Sequence, residues 1–107
     1  MIQVLYVDDE PDLLLVGKLF LERLGDFQVS TVTGAREAIR YLDQNPVDVI
    51  ISDYQMPGMD GLSFLRALKE DGNNIPFILF TGRGREEVVI TALNYGADFY
   101  LQKGGEP

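Results

Sequence analysis

Residues 47–70 read VDVIISDYQMPGMDGLSFLRALKE, and three kinds of local order follow one another within them. Val47 to Ser52 is a short apolar run rich in β-branched residues, the pattern of a strand covered on both faces. It stops at a carboxylate, Asp53. A loop carrying Pro57 and Gly58 leads to Asp60, a residue type that accepts hydrogen bonds from the first amides of a helix. Gly61, Phe64, Leu65 and Leu68 then recur at helical spacing. The stretch is predicted as strand, loop and helix, with an acidic residue at the carboxyl end of the strand.

The same unit recurs on either side. Gln3 to Val7 and Phe77 to Phe80 are further short apolar runs, Phe27 to Val32 alternates as a strand with one wetter face, and Phe99 to Leu101 makes a last short strand. Between them, Leu13, Val16, Gly17, Phe20 and Leu24 follow the helical period, as do Ala35, Ala38, Ile39 and Leu42. Pro11 suits a first helical position, Glu86 and Glu87 suit the start of a fourth helix, and Gly72 and Gly96 suit helix stops. Strands alternating with helices imply right-handed crossovers, hence a doubly wound α/β domain with a five-stranded parallel sheet. In such sheets ligands bind outside the carboxyl ends of the strands.

Composition narrows the chemistry. The 107 residues suit one domain, spanning 1–107. No apolar run approaches the ~18 residues of a membrane span, and the apolar residues Ile2, Val4, Leu5 and Val7 stop at Asp8 without forming a leader. A soluble, cytoplasmic chain is expected. There is no Cys and no His, which excludes disulfides, zinc sites, Cys or Ser–His nucleophiles and histidine acid–base work. A formal charge of −8, with nine Lys and Arg scattered along the chain, repels phosphate backbones, so neither nucleic acid nor membrane is an expected partner.

Read in order, the residues at the strand ends are Asp8 and Asp9, then Asp53, then Thr81, then Lys103. Taken singly, each has an ordinary use: a helix cap, a turn, a solvated amine. Taken together they do not, because carboxylates within about 4 Å repel by roughly 4 kcal/mol per pair at an effective dielectric near 20. A cation relieves that repulsion, and Mg²⁺ accepts one or two carboxylates, waters and a phosphate oxygen. A carboxylate is also a competent nucleophile toward phosphorus, in a transfer that needs mainly in-line positioning and charge neutralisation. Thr81, followed by the small Gly82, is placed to donate its hydroxyl to a phosphoryl oxygen. Lys103 can pair with Asp53 or with that oxygen.

At these residues the chain resembles the receiver domain of two-component response regulators, over nearly its whole length. The stretch Asp53-Tyr54-Gln55-Met56-Pro57-Gly58-Met59-Asp60-Gly61 matches the family's phosphoacceptor loop, and Asp8-Asp9, Thr81 and Lys103 match its other signature positions. The resemblance implies the strand order 2-1-3-4-5 and phosphorelay signalling, with a histidine kinase or phosphotransfer protein as donor and a downstream effector as target. It makes Asp53 the phosphoacceptor and assigns the metal to Asp8, Asp9, Asp53 and the Gln55 backbone carbonyl. Thr81 and Lys103 contact the phosphoryl group, and Tyr100 is the switch aromatic that follows Thr81. Output is expected on the surface from Glu86 to Tyr100, and Gln55 and Arg83 lie where the family tunes phosphoryl lifetime. Such a domain catalyses its own phosphorylation and dephosphorylation rather than acting as an ordinary enzyme.

Two departures carry expectations of their own. Gly104 follows Lys103 where most receivers have a cis proline, so a trans bond is expected. The chain ends where the family begins its fifth helix, which predicts that this helix is missing and that the sheet face carrying only the first helix exposes apolar surface. A fragment of a longer chain, or a homodimer through the bare face, is expected from that. The Leu-Gln-Lys-Gly-Gly ending is similar to receivers at the front of multidomain sensory kinases. The alternative function is a receiver-like, non-phosphorylated interaction module. An aspartate-nucleophile phosphatase lacks its second acid, since Gln55 stands there, and the loop Asp8-Asp9-Glu10-Pro11 would repel the phosphate of a flavin.

Overall fold

The computed structural model describes residues 1–82 and 86–102. They form β1 (Ile2–Val7), α1 (Pro11–Leu24), β2 (Phe27–Val32), α2 (Ala35–Gln44), β3 (Val49–Asp53), α3 (Gly61–Glu70), β4 (Phe77–Thr81), α4 (Glu86–Asn94) and β5 (Phe99–Gln102). All strand pairs are parallel, in the order β2-β1-β3-β4-β5. The doubly wound five-stranded sheet is as the sequence predicts. Among the described residues no helix is long and apolar enough to cross a membrane.

Side chains alternate across the sheet, and each face finds its own cover. Leu5, Val7, Ile50, Phe77 and Leu79 pack under α2, α3 and α4 with Ala35, Ala38, Phe64, Leu65, Leu68 and Ala92. Phe64 meets Phe77 edge-on at 5.7 Å between centroids. On the opposite face Val4, Tyr6 and Val29 pack with Leu14 of α1, flanked by Val49, Ile51 and Phe80. Tyr6 lies so close to α1 that a Cβ on Gly17 would overlap its ring, so the helix needs glycine there.

Among the described residues α1 is the only helix on that second face, and apolar surface is left open around it. Phe20 is 61% exposed, and register sets Phe99 beside Ile78 and Leu101 beside Phe80, with Phe99 57% exposed. The expected bare face is present among the described residues.

The far end of the sheet is fastened by two aspartates that sequence reading passed over. Asp48 Oδ2 accepts from the Gln3 amide at 2.7 Å while the Asp48 amide donates to the Gln3 carbonyl at 2.8 Å. Asp98 repeats the device: its Oδ2 accepts from the Phe77 amide at 2.8 Å and its own amide donates to the Phe77 carbonyl at 2.9 Å. Each aspartate stands just before its strand and binds both backbone groups of one residue on the neighbour, which pins register. The first clamp also explains why β3 begins at Val49 rather than at Val47. Removing a hydrogen-bonding carboxylate and stranding an amide costs roughly 1–3 kcal/mol. Asp98→Ala is expected to lower the unfolding free energy by about that amount in urea titration, with the Phe77 amide losing hydrogen-exchange protection.

Candidate functional site

Parallel strands bring their carboxyl ends to one edge, and the candidate residues are distributed along it. β1 runs straight into Asp8, which is fully buried; its amide donates to the Val32 carbonyl at 3.2 Å and its Oδ1 accepts from the Glu10 amide at 3.0 Å. That short side-chain turn redirects the chain into α1, where Pro11 takes the first position and the Leu14 amide reaches the Glu10 carbonyl at 3.1 Å. The carboxylate oxygens of Asp8, Asp9 and Glu10 lie within 4.8 Å of one another. Glu10 is the member that sequence reading did not count as a ligand; its adjacency to Asp8 and Asp9 was the available signal.

Asp53 closes β3 and is 5% exposed. Val7 pairs with Ser52, so the next step along both strands sets Asp8 beside Asp53. Asp53 Oδ1 accepts from the Tyr54 amide at 2.9 Å, which fixes the plane of the carboxylate. The loop beyond is tied back by the Gly61 amide to the Tyr54 carbonyl at 2.7 Å and by Asp60 Oδ1, which caps α3 through the Ser63 amide at 2.8 Å. Met56 is buried in the larger core and anchors the loop. Gly58 takes φ 84°, the left-handed region where a side chain is unfavourable. Asp9, Tyr54, Gln55, Met56, Pro57 and Asp60 line an open cleft of about 410 Å³. Asp9 and Gln55, two of the predicted metal residues, are thus brought to one space.

Thr81 ends β4, diagonal to Asp53, because Asp53 pairs with Phe80. Its hydroxyl is buried and has no hydrogen-bond partner among the described residues. A buried hydroxyl left unmade costs roughly 1–3 kcal/mol, so a partner that arrives later is the economical explanation. Thr81 also lines a cavity of about 310 Å³ together with Gly82, Glu86, Val89, Ile90, Tyr100 and Gln102. The predicted pair Thr81 and Tyr100 therefore shares one cavity beneath α4. Lys103, Arg83 and Gly104, with the expected trans bond between Lys103 and Gly104, lie outside the described residues.

The donors gathered here are all oxygen, the set preferred by hard divalent cations such as Mg²⁺. The close approach of α3 to the strand end is specific to glycine: a Cβ on Gly61 would overlap the Asp53 carbonyl oxygen and crowd Tyr54 Cα, both backbone atoms that cannot swing away. Gly61→Ala is therefore expected to lower stability by about 1–3 kcal/mol, although helix propensity alone predicts a gain of up to about 1 kcal/mol. The Tyr54 amide resonance should shift with it. A urea midpoint equal to or above the wild type would show that the contact yields without cost.

Comparison with known proteins identifies the family and its fold. The family model described as the response regulator receiver domain matches residues 4–107. Response regulator Rre1 of Synechocystis is 38% identical over 108 residues, covering 99% of this chain and 47% of its own length. The chain thus spans about half the length of the curated relatives it matches. Among solved structures, the receiver domain of Francisella response regulator 1452 superposes with a TM-score of 0.91 at 29% identity, covering 99% of this chain and 87% of that one. The signal receiver domain of a signal transduction histidine kinase from Syntrophus aciditrophicus gives 0.86 at 37% identity, covering 99% and 81%.

Proposed function

The chain belongs to the response regulator receiver domain family, and on that premise we propose that it takes a phosphoryl group from a histidine kinase or phosphotransfer protein onto Asp53. One observation carries the proposal: a buried carboxylate at the end of β3 stands diagonal to a buried hydroxyl at the end of β4 that has no hydrogen-bond partner among the described residues. An oxygen of the Asp53 carboxylate attacks phosphorus in line, the bond from phosphorus to the donor's imidazole nitrogen breaks, and an aspartyl phosphate results. Thr81 then donates its hydroxyl to a phosphoryl oxygen. Lys103 is assigned the remaining charge pairing on the strength of the family motif.

The oxygens assigned to Mg²⁺ are the carboxylates of Asp8, Asp9 and Asp53 and the Gln55 backbone carbonyl, with Glu10 as a further carboxylate of the group; bound there, the ion would supply neutralisation of the phosphoryl charge. The phosphoryl group brings about 1.5–2 negative charges. Drawing Thr81 toward it opens or closes the cavity that Thr81 shares with Tyr100 and α4, so the α4–β5 surface is the output face toward a downstream effector. Residues 1–107 act as a single receiver domain in the cytoplasm.

Incubation with acetyl phosphate followed by intact mass measurement tests the first step. One adduct per chain is expected, requiring both Mg²⁺ and Asp53 and absent from Asp53→Asn. A folded wild type that forms no adduct, or an Asp53→Asn chain that does, sinks the proposal; the former outcome would leave a constitutive interaction module. The Thr81 hydroxyl gives an independent check. Thr81→Val removes an unpaired buried hydroxyl, so the urea midpoint is expected to stay level or rise. The adduct should still form, while phosphorylation-dependent shifts of the Tyr100 resonances should disappear.

A further inference from the structure

β2 is an outer strand of the sheet, and an outer strand offers unpaired backbone groups to any strand that approaches. The Ile2 and Asp8 amides bond the Asp26 and Val32 carbonyls across the β1–β2 step. Backbone direction alternates along a strand, so the even-numbered residues of β2 face β1 while Phe27, Val29 and Thr31 face outward. Val29 sits at the middle of that outward set and is already engaged. Its amide donates to Glu22 Oε2 at 2.9 Å, and its carbonyl accepts from Lys18 Nζ at 2.6 Å. Lys18 and Glu22 stand four residues apart on one face of α1 and are themselves joined at 3.0 Å, closing a three-membered ring. The hydrogen bond from Val29, and then that from Lys18, holds the Glu22 carboxyl below its ordinary value.

We propose that Lys18 and Glu22 serve as a built-in substitute for a neighbouring strand, closing the β2 edge against strand addition by a second copy of this chain. An incoming strand must take the amide and the carbonyl of an outward residue together. With both groups of Val29 occupied, only Phe27 and Thr31 remain, separated by four residues and hence about 13 Å. Hydrogen bonds with a charged partner are roughly twice as strong as neutral ones, so a neutral strand amide and carbonyl do not displace the pair. The same ring ties α1 to β2, which matters for a helix whose one buried residue is Leu14.

Hydrogen exchange and sedimentation test the proposal. In the wild type the Val29 amide is expected to exchange at least about tenfold more slowly than the amides of its outward neighbours Phe27 and Thr31. In Lys18→Ala/Glu22→Ala that protection is lost in dilute protein, and a dimer fraction appears that grows with concentration. Adding Thr31→Lys, a charge at an exposed edge position, abolishes the dimer. Val29 exchanging as fast as Phe27 and Thr31 in the wild type overturns the proposal. So does a folded double variant that sediments like the wild type, or a dimer that survives Thr31→Lys and so forms elsewhere. Should the double variant fail to fold, Glu22→Gln alone decides: about tenfold faster exchange at Val29 with Leu5 unchanged supports the ring, and unchanged exchange at Val29 refutes it.

Discussion

Every strand of this sheet ends on the same edge, and the middle strands are mostly apolar on both faces, so polar residues gather where the apolar runs stop. β1, β3 and β4 are mostly apolar; Asp8 directly follows β1, while Asp53 and Thr81 are the last residues of β3 and β4. Asp8 and Asp53 cannot retreat into the core without losing their hydrogen bonds, and none of the three can slide along the strand without turning apolar neighbours to the wrong face. The site is thus a consequence of parallel topology. The loops have only to turn the chain tightly there, which is why Gly61 presses on the Asp53 carbonyl and Met56 is driven into the core.

Packing is graded across the molecule in a way that suits a switch. α3 buries Gly61, Phe64, Leu65 and Leu68, whereas α4 buries only Ala92, near its carboxyl end. That end is also the better fastened one. The Ala97 amide reaches back to the Ala92 carbonyl at 2.9 Å, Gly96 turns at φ 105°, and the Arg66 guanidinium stands 5.9 Å over the Tyr95 ring. Beneath the opposite end lies the cavity lined by Thr81, Glu86, Val89 and Tyr100. α4 is thus less densely packed than α3 and lies over that cavity at its amino end.

The parts of this arrangement legible in the sequence were those set by periodicity and local punctuation. Strand and helix positions came from alternation and from the i, i+3, i+4 pattern, and Asp60, Gly72 and Gly96 occupy the cap and stop positions read for them. The candidate residues could be named from sequence because a strand end is a local feature. Asp48, Asp98, Lys18 and Glu22 were invisible for the opposite reason. Each acts on a backbone group 7 to 45 residues away, and nothing in an aspartate before a strand, or in a Lys and Glu spaced by one helical turn, reveals which distant amide it will meet.

Those distant contacts also change what the acidity of the chain means. A formal charge of −8 does not by itself point to a cation site, and much of that charge is spent on backbone donors. Asp8, Glu22, Asp48, Asp53, Asp60 and Asp98 each accept a backbone N–H, at distances from 2.7 to 3.0 Å. An ionised acceptor makes such bonds short and strong, so these residues are fixed in place by structure before any ligand arrives. Asp9 and Glu10 differ: among the described residues neither carboxylate accepts a backbone N–H, although both lie in the group with Asp8. The case for a cation rests on those two uncommitted carboxylates beside a buried, oriented third, a far narrower ground than net charge and the one such group of three among the described residues.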